Sequence, residues 1–416
     1  MIVCGVIAEF NPFHNGHAYL LEQARLLTHA DYLIVVMSGD YVQRGEPACM
    51  DKYCRTKAAV TVGADAVFEL PVTIATGSAE YFARGAVAAL DALGVVDYLC
   101  FGSESGDLEQ LRELAGKSFH PKHSHIQKSS SDEPAGAELP NNILAVEYLR
   151  ALNYFHSPIK PVTVKRQGAG YHDLSAQEGT YCSAASLRPL LRSLSDGLLP
   201  YAADAYFRPS PEPNNTEPFQ LLSRFVPDRT LPVIKEYYHS HRYLELRSVS
   251  DLLFYHFMMH PSEDLTEYFD IYGDLADKIQ NFLSQKRPTD LLAFRDSLKT
   301  KDIAMTHISR ALLHILLSVK KSDVDLIQKY GYCAYLRLLG FCRESSPLMN
   351  TIKVASKRPV ITKLADAKNR LQQEQLSLLE KDIAASCLYQ QLSLIPKETA
   401  VFSGEYRQPV IIVSRI

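Results

Sequence analysis

Through the first half of the chain, short and nearly continuous apolar runs alternate with longer amphipathic stretches, and this alternation limits the fold more than any other feature. IVCGVI opens the chain, an amphipathic stretch follows at 17–28, YLIVVM occupies 32–37 and a helix-like stretch spans 51–63. AVFEL at 66–70, a helix over 79–93 and YLCFG at 98–102 continue the pattern. Strands that are apolar along their whole length suit a parallel sheet covered by helices on both faces. The expected fold is α/β, a Rossmann-like doubly wound parallel sheet.

The rest of the chain divides by texture. Residues 115–139 are polar and rich in Ser, Pro and His, and read as a loop; His120, His123 and His125 there lack a regular metal-binding spacing. NNILAVEYLRAL at 141–152 carries Ile143, Leu144, Val146, Leu149 and Leu152 at helical spacing, with Asn141 or Asn142 as its N-cap. PVTVKR at 161–166 reads as the last strand of the sheet, and a helix starts after Ser183. Pro200 and the PSPEPNN stretch at 208–215 mark a boundary, beyond which LLSRF, VSDLLFYHFMM, DLADKIQNFL and HISRALLHILLSV are helical. PVITK at 359–363 and PVIIVSRI at 409–416 read as strands of a small mixed element. Two domains are expected for 416 residues, 1–195 and a mainly α-helical 196–416.

Composition excludes several classes. Lys and Arg number 44 against 47 Asp and Glu, so the chain has no overall basic field and any nucleic-acid surface is local. No run of about 18 apolar residues and no signal-peptide pattern occurs, which points to the cytoplasm and away from a membrane. The eight cysteines show no CxxC pair or finger spacing, so buried reduced thiols are expected and no metal site.

Chemistry concentrates where the first strand turns into the first helix, at Gly5–His17. In an open α/β sheet the ligand crevice lies beyond the carboxyl ends of the strands, and a helix start there offers backbone N–H groups to phosphate. His14 and His17, three apart, project to one region where their N–H groups can meet charge on a phosphoryl group. Gly16 lets a nucleotide approach the backbone, and Pro12 stiffens the turn. At 183–188, Ser183, Ser186 and Arg188 open another helix, with hydroxyls for phosphate and a guanidinium for departing pyrophosphate. GxxxxGK[ST] is absent, so a P-loop enzyme has no support.

With these words in place, the chain resembles the HxGH nucleotidyltransferase superfamily, related in fold to class I aminoacyl-tRNA synthetases. SGDYVQRGEPA at 38–48, DKYCRTKAAVTVGADAVFELP at 51–71, FGSE at 101–104 and KRQGAGYHD at 165–173 narrow the resemblance to the tRNA(Met) cytidine acetate ligase family of bacteria. RALLHILL at 310–317 and LRLLGF at 336–341 are similar to that family's helical C-terminal region. One departure is Ala185, which stands where the family's SATxIR motif has threonine; Ser186 is the next hydroxyl, about 100° further round the helix.

The resemblance implies a two-step reaction: acetate and ATP give acetyl-adenylate and pyrophosphate, and the acetyl group passes to N4 of the wobble cytidine of elongator tRNA(Met). His14, His17 and Arg188 would be catalytic. ATP would lie against Ile7, Ala8, Glu9, Phe10, Asn11, Pro12, Phe13, His14, Asn15, Gly16, His17, Ala18, Tyr19 and Leu20. Gly102, Asn141, Arg166, Ser183 and Ser186 would complete its site. Mg2+ would accompany ATP as the default form of the nucleotide, with Asp40 and Glu104 as outer-shell groups at best. Lys52, Arg55, Lys57, Lys165, Arg310, Lys320 and Lys321 are candidates for tRNA phosphates, and Tyr171, His172 and Tyr181 for stacking on a base. Two other readings remain: an adenylyltransferase acting on a phosphorylated metabolite, and a non-catalytic RNA-binding factor with a vestigial nucleotide site.

Overall fold

The computed structural model describes residues 1–117, 139–167, 182–198, 217–395 and 404–415. The 118–138 stretch with its histidines, Tyr171, His172, Tyr181 and the 200–215 boundary lie outside the described residues.

Strands β1 (Val3–Ala8), β2 (Tyr32–Ser38), β3 (Tyr41–Val42), β4 (Glu46–Pro47), β5 (Ala66–Leu70), β6 (Tyr98–Ser103), β7 (Lys160–Lys165), β8 (Leu336–Cys342), β9 (Val360–Ile361) and β10 (Ile411–Val413) follow in chain order. The main sheet runs β10-β8-β5-β2-β1-β6-β7, with β9 also on β8, while β3 and β4 form a separate hairpin. β5, β2, β1, β6 and β7 are mutually parallel. From β1 the chain builds outward to β2 and β5 on one side, then returns to place β6 and β7 on the other. That reversal puts the switch-point crevice between the carboxyl ends of β1 and β6.

Helices α1 (Asn15–Thr28), α2 (Lys52–Val62), α3 (Val72–Ala75), α4 (Ala79–Ala92), α5 (Leu108–Gly116) and α6 (Pro140–Tyr154) connect or cover these strands. β2 shows why both faces are covered. Ile34 and Val36 join the core with α4 and α6, and Leu33, Val35 and Met37 join a second core with α1 and α2. A strand buried on both sides has no polar face, which is the pattern legible in its sequence.

The remaining helices are α7 (Ala184–Leu198), α8 (Glu217–Ser223), α9 (Leu231–Tyr238), α10 (Ser250–Met259), α11 (Gly273–Gln285), α12 (Leu291–Ser297), α13 (Met305–Leu316), α14 (Lys321–Lys329), α15 (Ser346–Ala355) and α16 (Gln373–Ser393). α7, α8 and α9 pack with Cys49 and Met50 at the start of α2. The segment from Leu246 to Ile315 forms a further core, against which Leu392 of α16 also packs.

Three expectations need correction. LRLLGF is not helical: it forms β8, antiparallel to β5 with a bulge at Val67/Phe68. A short run apolar on every side fits a buried strand as well as a helix, and pairing with β5 decides it. β9 and β10 do not form a separate element but pair with β8, so the sheet extends past β5 and a division at 195/196 does not follow its limits. Asn141 and Asn142 do not cap α6; Leu139 holds that position and Pro140 starts the helix.

All eight cysteines are free, and only Cys182 and Cys387 are not fully buried. Among the described residues no helix is long and apolar enough to cross a membrane, and no group of His, Cys, Asp and Glu could hold a metal ion.

Candidate active site

β1 delivers the chain to the crevice at Ala8, and a turn carries it into α1. Arg55 holds that turn. Its guanidinium donates to the main-chain oxygens of Glu9 at 2.6 Å, Ser38 at 3.1 Å and Met50 at 2.9 Å, and to that of Gly39. It thereby ties together the ends of β1 and β2. Phe10 adopts φ 49° and the Asn11–Pro12 bond is cis. Phe10 and Phe13 are buried against the His17 ring at 4.9 and 5.7 Å between centroids. Asn11 braces the turn: its Oδ1 accepts Cys49 N at 2.7 Å. Asn15 donates through N and Nδ2 to the carbonyls of Phe225 and Arg224, anchoring the start of α1 to the segment after α8.

His14 is the N-cap of α1. Its Nδ1 accepts Gly16 N at 3.0 Å, and Nδ1 of His17 accepts His14 N at 3.3 Å, so the two histidines make a reciprocal capping box. Because a backbone N–H only donates, each neutral ring carries its proton on Nε2. Burial, with Arg166 nearby, lowers the His14 pKa to about 3, and burial with His14 and Arg166 holds His17 well below its ordinary value. The rings stack at 3.8 Å with 26° between their planes. The site presents two neutral N–H donors rather than two cations. Gly16 has a reason the sequence did not show: a Cβ there would lie 2.8 Å from Cε1 of His14, so any side chain would displace the capping ring.

Across the crevice, Gly102 pairs with Val164, and a Cβ on it would meet Cγ of Arg166 at 3.4 Å. Arg166 N donates to Ser103 O at 2.9 Å, which sets the residue just past β7 beside the two histidines. Gln167 Nε2 donates to the Tyr19 hydroxyl at 2.9 Å, linking this edge to α1. Asn141 Nδ2 donates to Glu104 Oε1 at 2.6 Å, Asn142 N to Glu104 Oε2 at 2.8 Å, and Asn142 Oδ1 accepts Glu104 N at 2.9 Å. Glu104 therefore closes the start of α6.

At α7, Ser183 Oγ accepts Ser186 N at 3.2 Å, and Ser186 Oγ donates to Ser183 O at 2.8 Å. These hydroxyls satisfy their own helix start. Arg188 lies 3.6 Å from Glu46 of the β3–β4 hairpin and contributes to the field at Glu9. Leu187 is buried in the core that α7 shares with α8 and α9, and Ser183 is buried as well.

The basic candidates separate sharply. Lys52 and Arg55 are wholly inaccessible, and Arg310 is buried with Nε 2.8 Å from Asp270. Lys52 lies 2.7 Å from Glu69 and 2.6 Å from Glu405, with Arg337 2.9 Å from Glu69 and 2.8 Å from Glu405. Burial alone would raise Glu405, but Lys52 and Arg337 outweigh it and hold the carboxyl at about 2. Lys52 and Arg55 have no surface to offer a phosphate, and Arg310 is buried and already paired. Lys165 and Lys321 are exposed, while Lys57 pairs with Glu236 at 2.9 Å and Lys320 with Glu267 at 2.7 Å.

The two carboxylates expected near a metal do not fit that task. Both oxygens of Glu104 are engaged at α6. Asp40, raised to about 6 by burial, accepts Lys52 N at 2.7 Å and the Ser386 hydroxyl.

A family model described as HIGH Nucleotidyl Transferase matches residues 1–401. The tRNA(Met) cytidine acetate ligase of Caldanaerobacter subterraneus is 33% identical over 436 residues, spanning 99% of this chain and 100% of its own. That of Halothermothrix orenii is 31% identical over 93% of each chain. The crystal structure of Thermotoga maritima TmcAL in an apo form matches with TM-score 0.84 at 27% identity over 100% of both chains. The structure of the same protein bound with alpha-thio ATP matches with TM-score 0.82 at 26% identity.

Proposed function

Because the chain belongs to the HIGH nucleotidyltransferase family, and within it to the tRNA(Met) cytidine acetate ligases, we propose that it joins acetate to the wobble cytidine of elongator tRNA(Met) in the cytoplasm at the expense of ATP. In the first step an acetate oxygen attacks the α-phosphorus, its bond to phosphorus forms, and the bond to pyrophosphate breaks. In the second, cytidine N4 attacks the acetyl carbon of the adenylate and AMP leaves, giving N4-acetylcytidine.

The observation that carries this reading is the pair of stacked neutral imidazoles at the switch point, each with Nε2–H free of the capping bonds. Such donors meet growing negative charge on phosphoryl oxygens without first shedding a proton or a counter-ion. Positive charge comes from Arg166 beside them and from Arg188, whose field reaches Glu9; both suit the phosphates and the departing pyrophosphate. Catalysis is then mainly positioning and electrostatics. Among the described residues no cluster of carboxylates and imidazoles could hold a metal ion, so Mg2+ would arrive on the nucleotide's own phosphates.

Match over nearly the whole length also favours this over an adenylyltransferase of a phosphorylated metabolite, which needs no helical second half. Exchange of labelled pyrophosphate into ATP is the test. Exchange that depends on acetate, and is lost in H14A and H17A, supports the reading. Exchange that requires a phosphorylated metabolite instead would overturn it.

A further inference from the structure

Acetyl transfer requires a group to accept the proton that cytidine N4 loses, and the two imidazoles do not supply one. Their Nδ1 atoms are occupied by backbone N–H groups and their Nε2 atoms carry protons, leaving no lone pair toward the crevice. Of the neighbouring carboxylates, Glu104 is bound at α6 and Asp40 by Lys52 N and Ser386, while Glu46 faces the Arg188 guanidinium at 3.6 Å.

Glu9 is different. It is the first residue past β1, in the turn that leads to His14. Arg55 Nη1 holds its main-chain oxygen at 2.6 Å, and its side-chain Oε1 accepts Gln43 N at 2.8 Å. Those bonds fix the residue at both ends, and Oε2 has no hydrogen-bond partner among the described residues. Glu9 is part-buried and stands directly after the carboxyl end of β1, where the crevice opens.

Building on the acetate-ligase reading, we propose that Glu9 is the general base of acetyl transfer. Its Oε2 takes the proton from N4 as the N4–carbon bond forms and the carbon–oxygen bond to AMP breaks. The exocyclic amine is a poor nucleophile while it keeps both protons, so a placed base acts where the barrier lies. Burial raises the Glu9 carboxyl above its ordinary value, opposed by Gln43 N–H, Arg44, Arg55 and Arg188. Tyr148 also feels its charge. A carboxylate moved toward neutrality is a better proton acceptor at working pH.

E9Q tests this because the amide oxygen still accepts Gln43 N. The two half-reactions are measured separately, as acetate-dependent pyrophosphate exchange and as single-turnover transfer to tRNA. Transfer should fall by about 100-fold or more, exchange should fall far less, and the rise of transfer rate with pH that a carboxylate base predicts for the unsubstituted protein should be absent from the variant. Equal losses in both half-reactions, or undiminished transfer, would overturn the role of Glu9. Absence of exchange in the unsubstituted protein would instead remove the acetate-ligase reading on which it rests.

Discussion

The His14 and His17 rings lie 3.8 Å apart, and each accepts a backbone N–H of the helix start that the other helps to cap. Two side chains expected to act on phosphate thus also build the turn that aims them. Gly16 is the third member, since its missing Cβ is the space that His14 occupies. G16A should therefore lower acetate-dependent pyrophosphate exchange by on the order of 100-fold, the cost of displacing a catalytic group by about 1 Å. The helix propensity gained by replacing glycine with alanine, about 1 kcal/mol, offsets the loss of the His14 cap, about 1 kcal/mol, so the melting temperature should change little. Exchange kinetics and thermal melting on the same preparation check this.

Neutral histidines leave a signature in stability. His14 sits at about 3 in the folded chain against an ordinary 6.5, so between those values the unfolded chain binds the extra proton. The stability it contributes is complete above about pH 6.5 and is lost as pH falls toward 3. H14N removes that titration. Urea unfolding at several pH values should show a shallower loss on acidification for H14N than for the unsubstituted protein, and parallel curves would contradict the assignment.

Lys52 and Lys57 lie on the same helix, yet their environments predict opposite outcomes. K52M strips the buried Glu69 and Glu405 of a shared cation and should cost about 3–5 kcal/mol. K57A breaks an exposed pair with Glu236 and should cost less than about 1 kcal/mol. Equilibrium denaturation compares them directly.

This pair also shows what the sequence could convey. Strand positions such as 66–70 and helix limits near 79–93 were legible because doubly buried strands and amphipathic helices carry periodicity in their own residues. The HxGH turn was legible because its chemistry is local. The fate of Lys52 and Arg55 was not, since a charge on a helix reads as solvent-facing until its partners are known. Those partners, Glu405 and the carbonyls of Glu9, Ser38 and Gly39, come from distant parts of the chain. β8 was hidden for a related reason: only pairing with β5 distinguishes LRLLGF from a buried helical turn.

Exposed cations are the ones left to meet tRNA. K165A and K321A should each weaken tRNA binding and reduce the slope of log affinity against log salt by roughly one if each contacts one phosphate. Filter binding across a salt series measures both quantities. An unchanged slope in both variants would move the phosphate contacts elsewhere.

The most direct test of the proposed activity is mass spectrometry of nucleosides from unmodified elongator tRNA(Met) incubated with the purified protein, ATP and acetate, each omitted in turn. N4-acetylcytidine is predicted in the complete mixture alone. Its absence there, with the tRNA intact and ATP consumed, would contradict the account.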